Sequence, residues 1–256
     1  MNTQFVVSND GVRIAYDVTG TGRALMLIHG AGKTRKDWHT LGYVKRLSEH
    51  FRVIAVDVRG SGESDFRTGV DDYPVEKICA DLTAVADACQ AERFAVWGYS
   101  FGGTIARYLG AWSDRPTAIA IIGVPLGPAV DPEFDRYIDE FTAKYAHLAK
   151  DSEAANNEGK RGSAVKGGIP VWIACFQAMR VWPSIEPNQL RCPTLLVAGA
   201  KNTRAIHWID QNREALDRAG VKVELFPGLD HPKEFTKIDQ VYPAVSAFLL
   251  DSAIQE

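Results

Sequence analysis

The hexapeptide Gly98-Tyr99-Ser100-Phe101-Gly102-Gly103 sets a hydroxyl among close-spaced glycines. A short apolar run, residues 94–97, leads into it, and a helical pattern, residues 104–112, leads out. That order suits a tight strand-to-helix turn of the G-x-S-x-G kind. In such a turn the serine backbone is strained, and glycine two residues to either side leaves room for the bend. The turn lifts the Ser100 oxygen above the sheet and aims the backbone N–H of Phe101 into the same space. A serine hydroxyl is a weak nucleophile near neutral pH and needs a base within hydrogen-bond reach. Six histidines are available: His29, His39, His50, His147, His207 and His231. Only His231 follows a late strand pattern, residues 221–226, through a Pro227-Gly228 turn, which makes it the candidate general base.

Other chemistries lack their residues. The glycines of 98–103 do not form G-x-G-x-x-G, and no G-x-x-x-x-G-K-[ST] exists, so nucleotide phosphate binding has no support. No H-E-x-x-H and no paired cysteine cluster suggests zinc, and neither a metal nor an organic cofactor is expected. The four cysteines, Cys79, Cys89, Cys175 and Cys192, form no regular framework and read as reduced thiols. Lys plus Arg is 29 against 32 Asp plus Glu, a net charge of −3, which offers no electrostatic footprint for nucleic acid or an anionic membrane. A small molecule is the expected partner. The N-terminus lacks the basic start and apolar run of a signal peptide, and no run approaches the ~18 apolar residues of a membrane span. A soluble, cytoplasmic chain is therefore expected.

The elements that must position Ser100 and His231 alternate along the chain. At 256 residues and 46% apolar composition, the chain can bury a large core without disulfide or metal staples. Apolar runs at 24–28, 53–58, 94–97, 118–124 and 194–198 lack polar alternation, as strands buried on both faces of a parallel sheet do. Helical spacing appears at 75–90, 204–219 and 234–253, with Pro243 marking a start or kink in the last. Residues 5–7 and 12–18 flank Asn9-Asp10-Gly11, a hairpin signal that predicts an antiparallel pair at the N-terminal edge. The expected fold is α/β: a mostly parallel twisted sheet with an antiparallel N-terminal hairpin and helices on both faces. Residues 1–124 and 192–256 would form its core, and 125–191 a helical lid. The lid reading rests on helical patches at 134–148 and 171–181, a glycine-rich break at 156–168, and aromatic residues suited to an apolar roof.

Four motifs together resemble the α/β-hydrolase superfamily over essentially the whole chain. Leu27-Ile28-His29-Gly30-Ala31-Gly32 resembles its His-Gly oxyanion loop, and Asp57-Val58-Arg59-Gly60-Ser61-Gly62-Glu63-Ser64 the loop after the next strand. Gly98–Gly102 resembles the nucleophile elbow, and Leu229-Asp230-His231 the turn carrying the catalytic histidine. The resemblance implies an oxyanion hole formed by the backbone N–H groups of Ala31 and Phe101, a supporting role for His29, and structural roles for Asp57 and Arg59. The family places Asp or Glu near the end of Gly199-Ala200-Lys201-Asn202, but Asn202 stands there. Its amide oxygen could orient the imidazole without neutralising its charge. Some relatives supply the acid after the preceding strand, where Asp131, Glu133 and Asp135 are the candidates. Asp230 adjoins His231, and neighbouring side chains on a turn rarely face each other.

These readings predict a serine hydrolase cleaving a carboxylic ester, or a related acyl bond, through an acyl-Ser100 intermediate, with His231 as base and Asn202 as third member. Serine at the elbow argues against epoxide hydrolase and haloalkane dehalogenase chemistry, for which the family typically has Asp. Lactonase, carbon–carbon bond hydrolase and perhydrolase activities on the same site are the alternatives, as is a slow-turnover ligand-binding or signalling relative.

Overall fold

A computed structural model describes residues 2–149 and 168–252. The strands are β1 (Gln4–Val7), β2 (Arg13–Thr19), β3 (Ala24–Ile28), β4 (Arg52–Val56), β5 (Phe94–Tyr99), β6 (Pro116–Ile122), β7 (Thr194–Gly199) and β8 (Lys222–Phe226). They form one sheet in the order β1-β2-β4-β3-β5-β6-β7-β8. The β1–β2 and β2–β4 pairs are antiparallel and all others are parallel. The Asn9-Asp10-Gly11 turn closes the first hairpin, with Gly11 at φ 82° and Val7 opposite Arg13. Every residue of β3, β5 and β7 is buried, which is why those runs carry no polar alternation.

Successive strand residues face opposite layers. Met26, Ile28 and Val96 pack with Ile78, Leu82 and Val85 of α3 (Val75–Ala88) and Ile105 and Leu109 of α4 (Phe101–Trp112). Leu25, Leu27 and Trp97 face the other way, onto α1 (Arg35–Thr40), α2 (Tyr43–Leu47) and the C-terminal helix. There Trp38 meets Tyr43 and Phe235 edge-on at ring separations of 4.9 and 4.8 Å. Burying each such side chain contributes roughly 1.5–3 kcal/mol. Between β6 and β7 the chain forms α5 (Pro132–Ala149) and α6 (Gly168–Met179), joined through Phe134, Tyr137 and Phe141 packed around Phe176. The glycine-rich break expected at 156–168 lies outside the described residues, except Gly168, which opens α6.

Two expected helices are each divided. Residues 204–219 form α7 (Thr203–Gln211) and α8 (Arg213–Arg218), separated at Asn212, where φ is −115° and the side-chain amide donates to the Trp208 carbonyl at 2.8 Å. Residues 234–253 become α9 (Lys233–Thr236) and α10 (Ile238–Ser252), and Pro243 stands inside α10 rather than at its start. The short α1 and α2 carry too few residues to show a helical period in the sequence. Among the described residues, no helix is long and apolar enough to cross a membrane.

Asp57 and Arg59 tie the loop after β4 into this scaffold. Asp57 accepts from the buried Arg35 guanidinium and, at 2.7 Å, from the Arg35 backbone N–H; Arg59 pairs with Asp81 at 2.6 Å and Asp10 at 2.9 Å. His29, fully buried after β3, accepts the Val58 N–H at Nε2 (3.1 Å), which leaves Nδ1–H to donate to the Gly30 carbonyl (2.9 Å). Burial lowers the His29 pKa from its ordinary 6.5, against the opposing pull of Asp57. The unfolded chain therefore takes up a proton near pH 6.5 that the folded chain refuses, so stability falls as pH drops below that value. In thermal melts from pH 8 to pH 5, His29→Asn should be less stable than wild type at pH 8. It should also lose melting temperature less steeply below pH 6.5; an unchanged slope would remove His29 from this account.

Candidate active site

The site is built where β5 turns into α4. Ser100 occupies the turn at φ 53° and ψ −117°, a region that costs of order 1–3 kcal/mol for a residue with a side chain. Its N–H donates to the Ile122 carbonyl at 2.8 Å, so the neighbouring strand β6 holds the turn in place. A Cβ at Gly98 would strike the Gly102 carbonyl, and one at Gly102 would strike the carbonyl of Ile28. Both glycines are therefore required by close backbone approach.

The late turn after β8 brings His231 to the serine. Ser100 Oγ lies 2.8 Å from His231 Nε2. Tyr99, the residue before the serine, stacks on the imidazole with ring centroids 5.3 Å apart and donates its hydroxyl to the His231 carbonyl at 2.9 Å. Burial pushes the Tyr99 pKa up, which keeps that hydroxyl a donor.

The third partner differs from expectation. His231 Nδ1 lies 2.8 Å from Glu234 Oε2, so the acceptor on the imidazole is a carboxylate one helical turn away. Glu234 is buried, and its Oε1 accepts from the Gly199 N–H at 2.7 Å and from Asn202 Nδ2 at 2.9 Å. Asn202 Nδ2 also donates to the Gly123 carbonyl at 3.0 Å, while its oxygen accepts from the Ala205 N–H at 3.3 Å and caps α7. These partners fix the amide orientation: the oxygen expected to face His231 points to the helix, and nitrogen stands 3.3 Å from Nδ1. Asn202 braces the carboxylate instead of accepting from the imidazole.

The other acidic candidates are engaged elsewhere. Asp131 pairs with Arg204, Asp135 with Arg180 at 2.7 Å, and Glu133 is exposed. Asp230 pairs with Lys233, not with its neighbour His231. A signal for Glu234 did exist in His231-Pro232-Lys233-Glu234, since proline favours a helix start and an i, i+3 spacing puts both side chains on one face. Room for the pair comes from Gly123, at φ 81°, where a Cβ would collide with the Glu234 carboxylate and lie 2.7 Å from His231 Nδ1.

Above Ser100 lies a cavity of about 340 Å³. Ala31 and Phe101 line it, and the backbone N–H of neither donates to an acceptor among the described residues. Gly30 allows this approach, since a Cβ there would press on the Tyr99 ring at 2.9 Å and on Ser100 Cβ at 3.1 Å. Phe134 and Tyr137 of α5 and Phe176 and Met179 of α6 complete the apolar wall. Among the described residues no cluster of three or more His, Cys, Asp or Glu side chains could hold a metal.

Comparison with known proteins agrees with this architecture. A family model for the alpha/beta hydrolase fold matches residues 23–138. A Synechocystis sp. protein named "Putative non-heme chloroperoxidase" is 25% identical, over 93% of this chain and 95% of its own length. The bifunctional epoxide hydrolase 2 of Sus scrofa is 27% identical over 49% of this chain, a match spanning only 22% of that larger protein. Among solved structures, the enol-lactonase of Burkholderia xenovorans LB400 superposes with a TM-score of 0.76 at 20% identity, covering 96% of this chain and 100% of the other. With the sheet order, the elbow and the match of residues 23–138 in agreement, the chain has the α/β-hydrolase fold.

Proposed function

We propose that this protein is a serine hydrolase that cleaves a carboxylic ester, or a related acyl bond, in a small molecule. The observation that carries the reading is the continuous line from Ser100 Oγ through His231 to the Glu234 carboxylate, 2.8 Å at each step, beneath an apolar cavity. His231 Nε2 takes the Ser100 proton as Oγ attacks the carbonyl carbon. The resulting oxyanion lies within reach of the Ala31 and Phe101 N–H groups. On collapse, the carbon–oxygen bond to the leaving alcohol breaks, and the imidazolium gives its proton to that alcohol. Water, deprotonated by the same imidazole, then releases the acid and frees Ser100. Glu234 keeps the Nδ1–H tautomer, the orienting role expected of Asn202 from the sequence, and in addition stabilises the imidazolium, which an amide cannot do. The Glu234 carboxylate on Nδ1 supports turnover over the slow binding role that an amide in that place would favour.

In this reading α5 and α6 act as the lid, with Phe134, Tyr137, Phe176 and Met179 contacting the apolar part of the substrate. Esterase and lactonase chemistry share every step, because both end in acyl transfer from serine to water.

Steady-state hydrolysis of p-nitrophenyl butyrate tests the nucleophile: Ser100→Ala should lower kcat by about 10⁴-fold or more with the melting temperature retained. Equal turnover by both proteins would exclude an acyl-Ser100 intermediate. The acid assignment predicts unequal penalties. Glu234→Gln should cost about 10⁴-fold in kcat through the wrong imidazole tautomer, and Asn202→Ala only about tenfold, the loss of one hydrogen bond to a charged group. The reverse ranking would return Asn202 to the triad.

A further inference from the structure

Among the described residues, the lining of the cavity over Ser100 carries one permanent charge, the guanidinium of Arg204. The rest is apolar or uncharged apart from the imidazole of His231, and no described carboxylate lines it. Arg204 stands in the first turn of α7, two residues after Asn202, at the end where the helix dipole is positive. Its position is over-determined. Nε donates to Asp131 Oδ2, and the guanidinium lies over the Phe134 ring, 5.1 Å from the centroid. Asp131 is itself fixed by accepting the N–H groups of Glu133 (3.0 Å) and Phe134 (2.8 Å) at the start of α5.

Both Nη groups of Arg204, by contrast, donate to no described residue, and the side chain remains 31% exposed. Arg204 also lines the adjoining cavity of about 620 Å³, so it stands at the seam between the two spaces. A guanidinium held by its Nε edge and by an aromatic face retains paired N–H donors in the fork geometry that matches a carboxylate. Apolar walls lower the local dielectric and strengthen that attraction.

We propose that Arg204 is a specificity-determining residue that binds a substrate carboxylate, so that the preferred substrates are esters or lactones carrying a second, free carboxylate across an apolar spacer. The substrate class rests on the hydrolase reading above; the carboxylate-binding role of Arg204 does not. A purely structural Arg204, bracing α5 against α7 through Asp131, would serve charged and neutral substrates alike.

Two matched pairs separate these roles, with the carboxylate on either side of the scissile bond: methyl hydrogen suberate against dimethyl suberate, and 6-acetoxyhexanoate against its methyl ester. Turnover is followed by pH-stat. In at least one pair the charged member should show a KM about tenfold lower or better, with kcat within about threefold. Arg204→Gln should bring that KM ratio close to one, and Arg204→Lys, which keeps the charge without the fork, should retain part of it. No preference in either pair, or a preference that survives Arg204→Gln, overturns the proposal.

Binding decides the matter independently of turnover. By calorimetry on wild-type protein, 4-phenylbutanoate should bind at least tenfold more tightly than 4-phenylbutanamide, and Arg204→Gln should abolish the difference. If no ester is hydrolysed but this difference is found, the hydrolase reading fails and the carboxylate site stands. Equal binding of acid and amide removes the carboxylate site whatever the turnover.

Discussion

A single buried carboxylate holds the site together. Glu234 accepts from the end of β7 through the Gly199 N–H, from the start of α7 through Asn202, and from the imidazole of His231. Three segments distant in sequence or direction thus share one acceptor, which leaves none of its oxygens idle. A buried carboxylate without such partners would be costly, and removing any of the donors would leave charge uncompensated in the interior. The imidazole orientation, the entry into α7 and the end of β7 are consequently one problem with one solution.

The serine side of the site is fixed by backbone geometry. Ser100 keeps a positive φ because Gly98 and Gly102 allow two carbonyls to approach where no side chain could fit, and because β6 captures its N–H. Tyr99 joins the two halves: its backbone ends β5, its ring supports the imidazole, and its hydroxyl holds the His231 carbonyl. The strain at the serine is thus offset by ordinary packing and hydrogen bonds around it.

Much of this was legible in the sequence because its physical signals are local. Two-sided burial writes itself as unbroken apolar runs, which located β3, β5 and β7, and Asp10-Gly11 announced the hairpin. The elbow was readable because its glycines answer a steric demand within five residues. Asn202 misled because position along the chain says where a side chain begins and not which of its atoms faces the histidine. The helix break at Asn212 depends on a side-chain bond to Trp208 that no periodicity encodes. Arg204 was hidden for a related reason: only packing on Phe134 and Asp131 turns a surface-type residue into the charge of an apolar cavity.

The placement of Glu234 three residues beyond His231 has a mechanical corollary. When an imidazole and its carboxylate come from separate loops, any slippage between those loops misaligns them. Here His231 stands on the turn that leads into α9 and Glu234 in the first turn of that helix, so displacement of this one segment carries both together. The imidazole–carboxylate register is thereby set within one segment, and the end of β7 and its loop, through Gly199 and Asn202, fix where that segment sits relative to the serine.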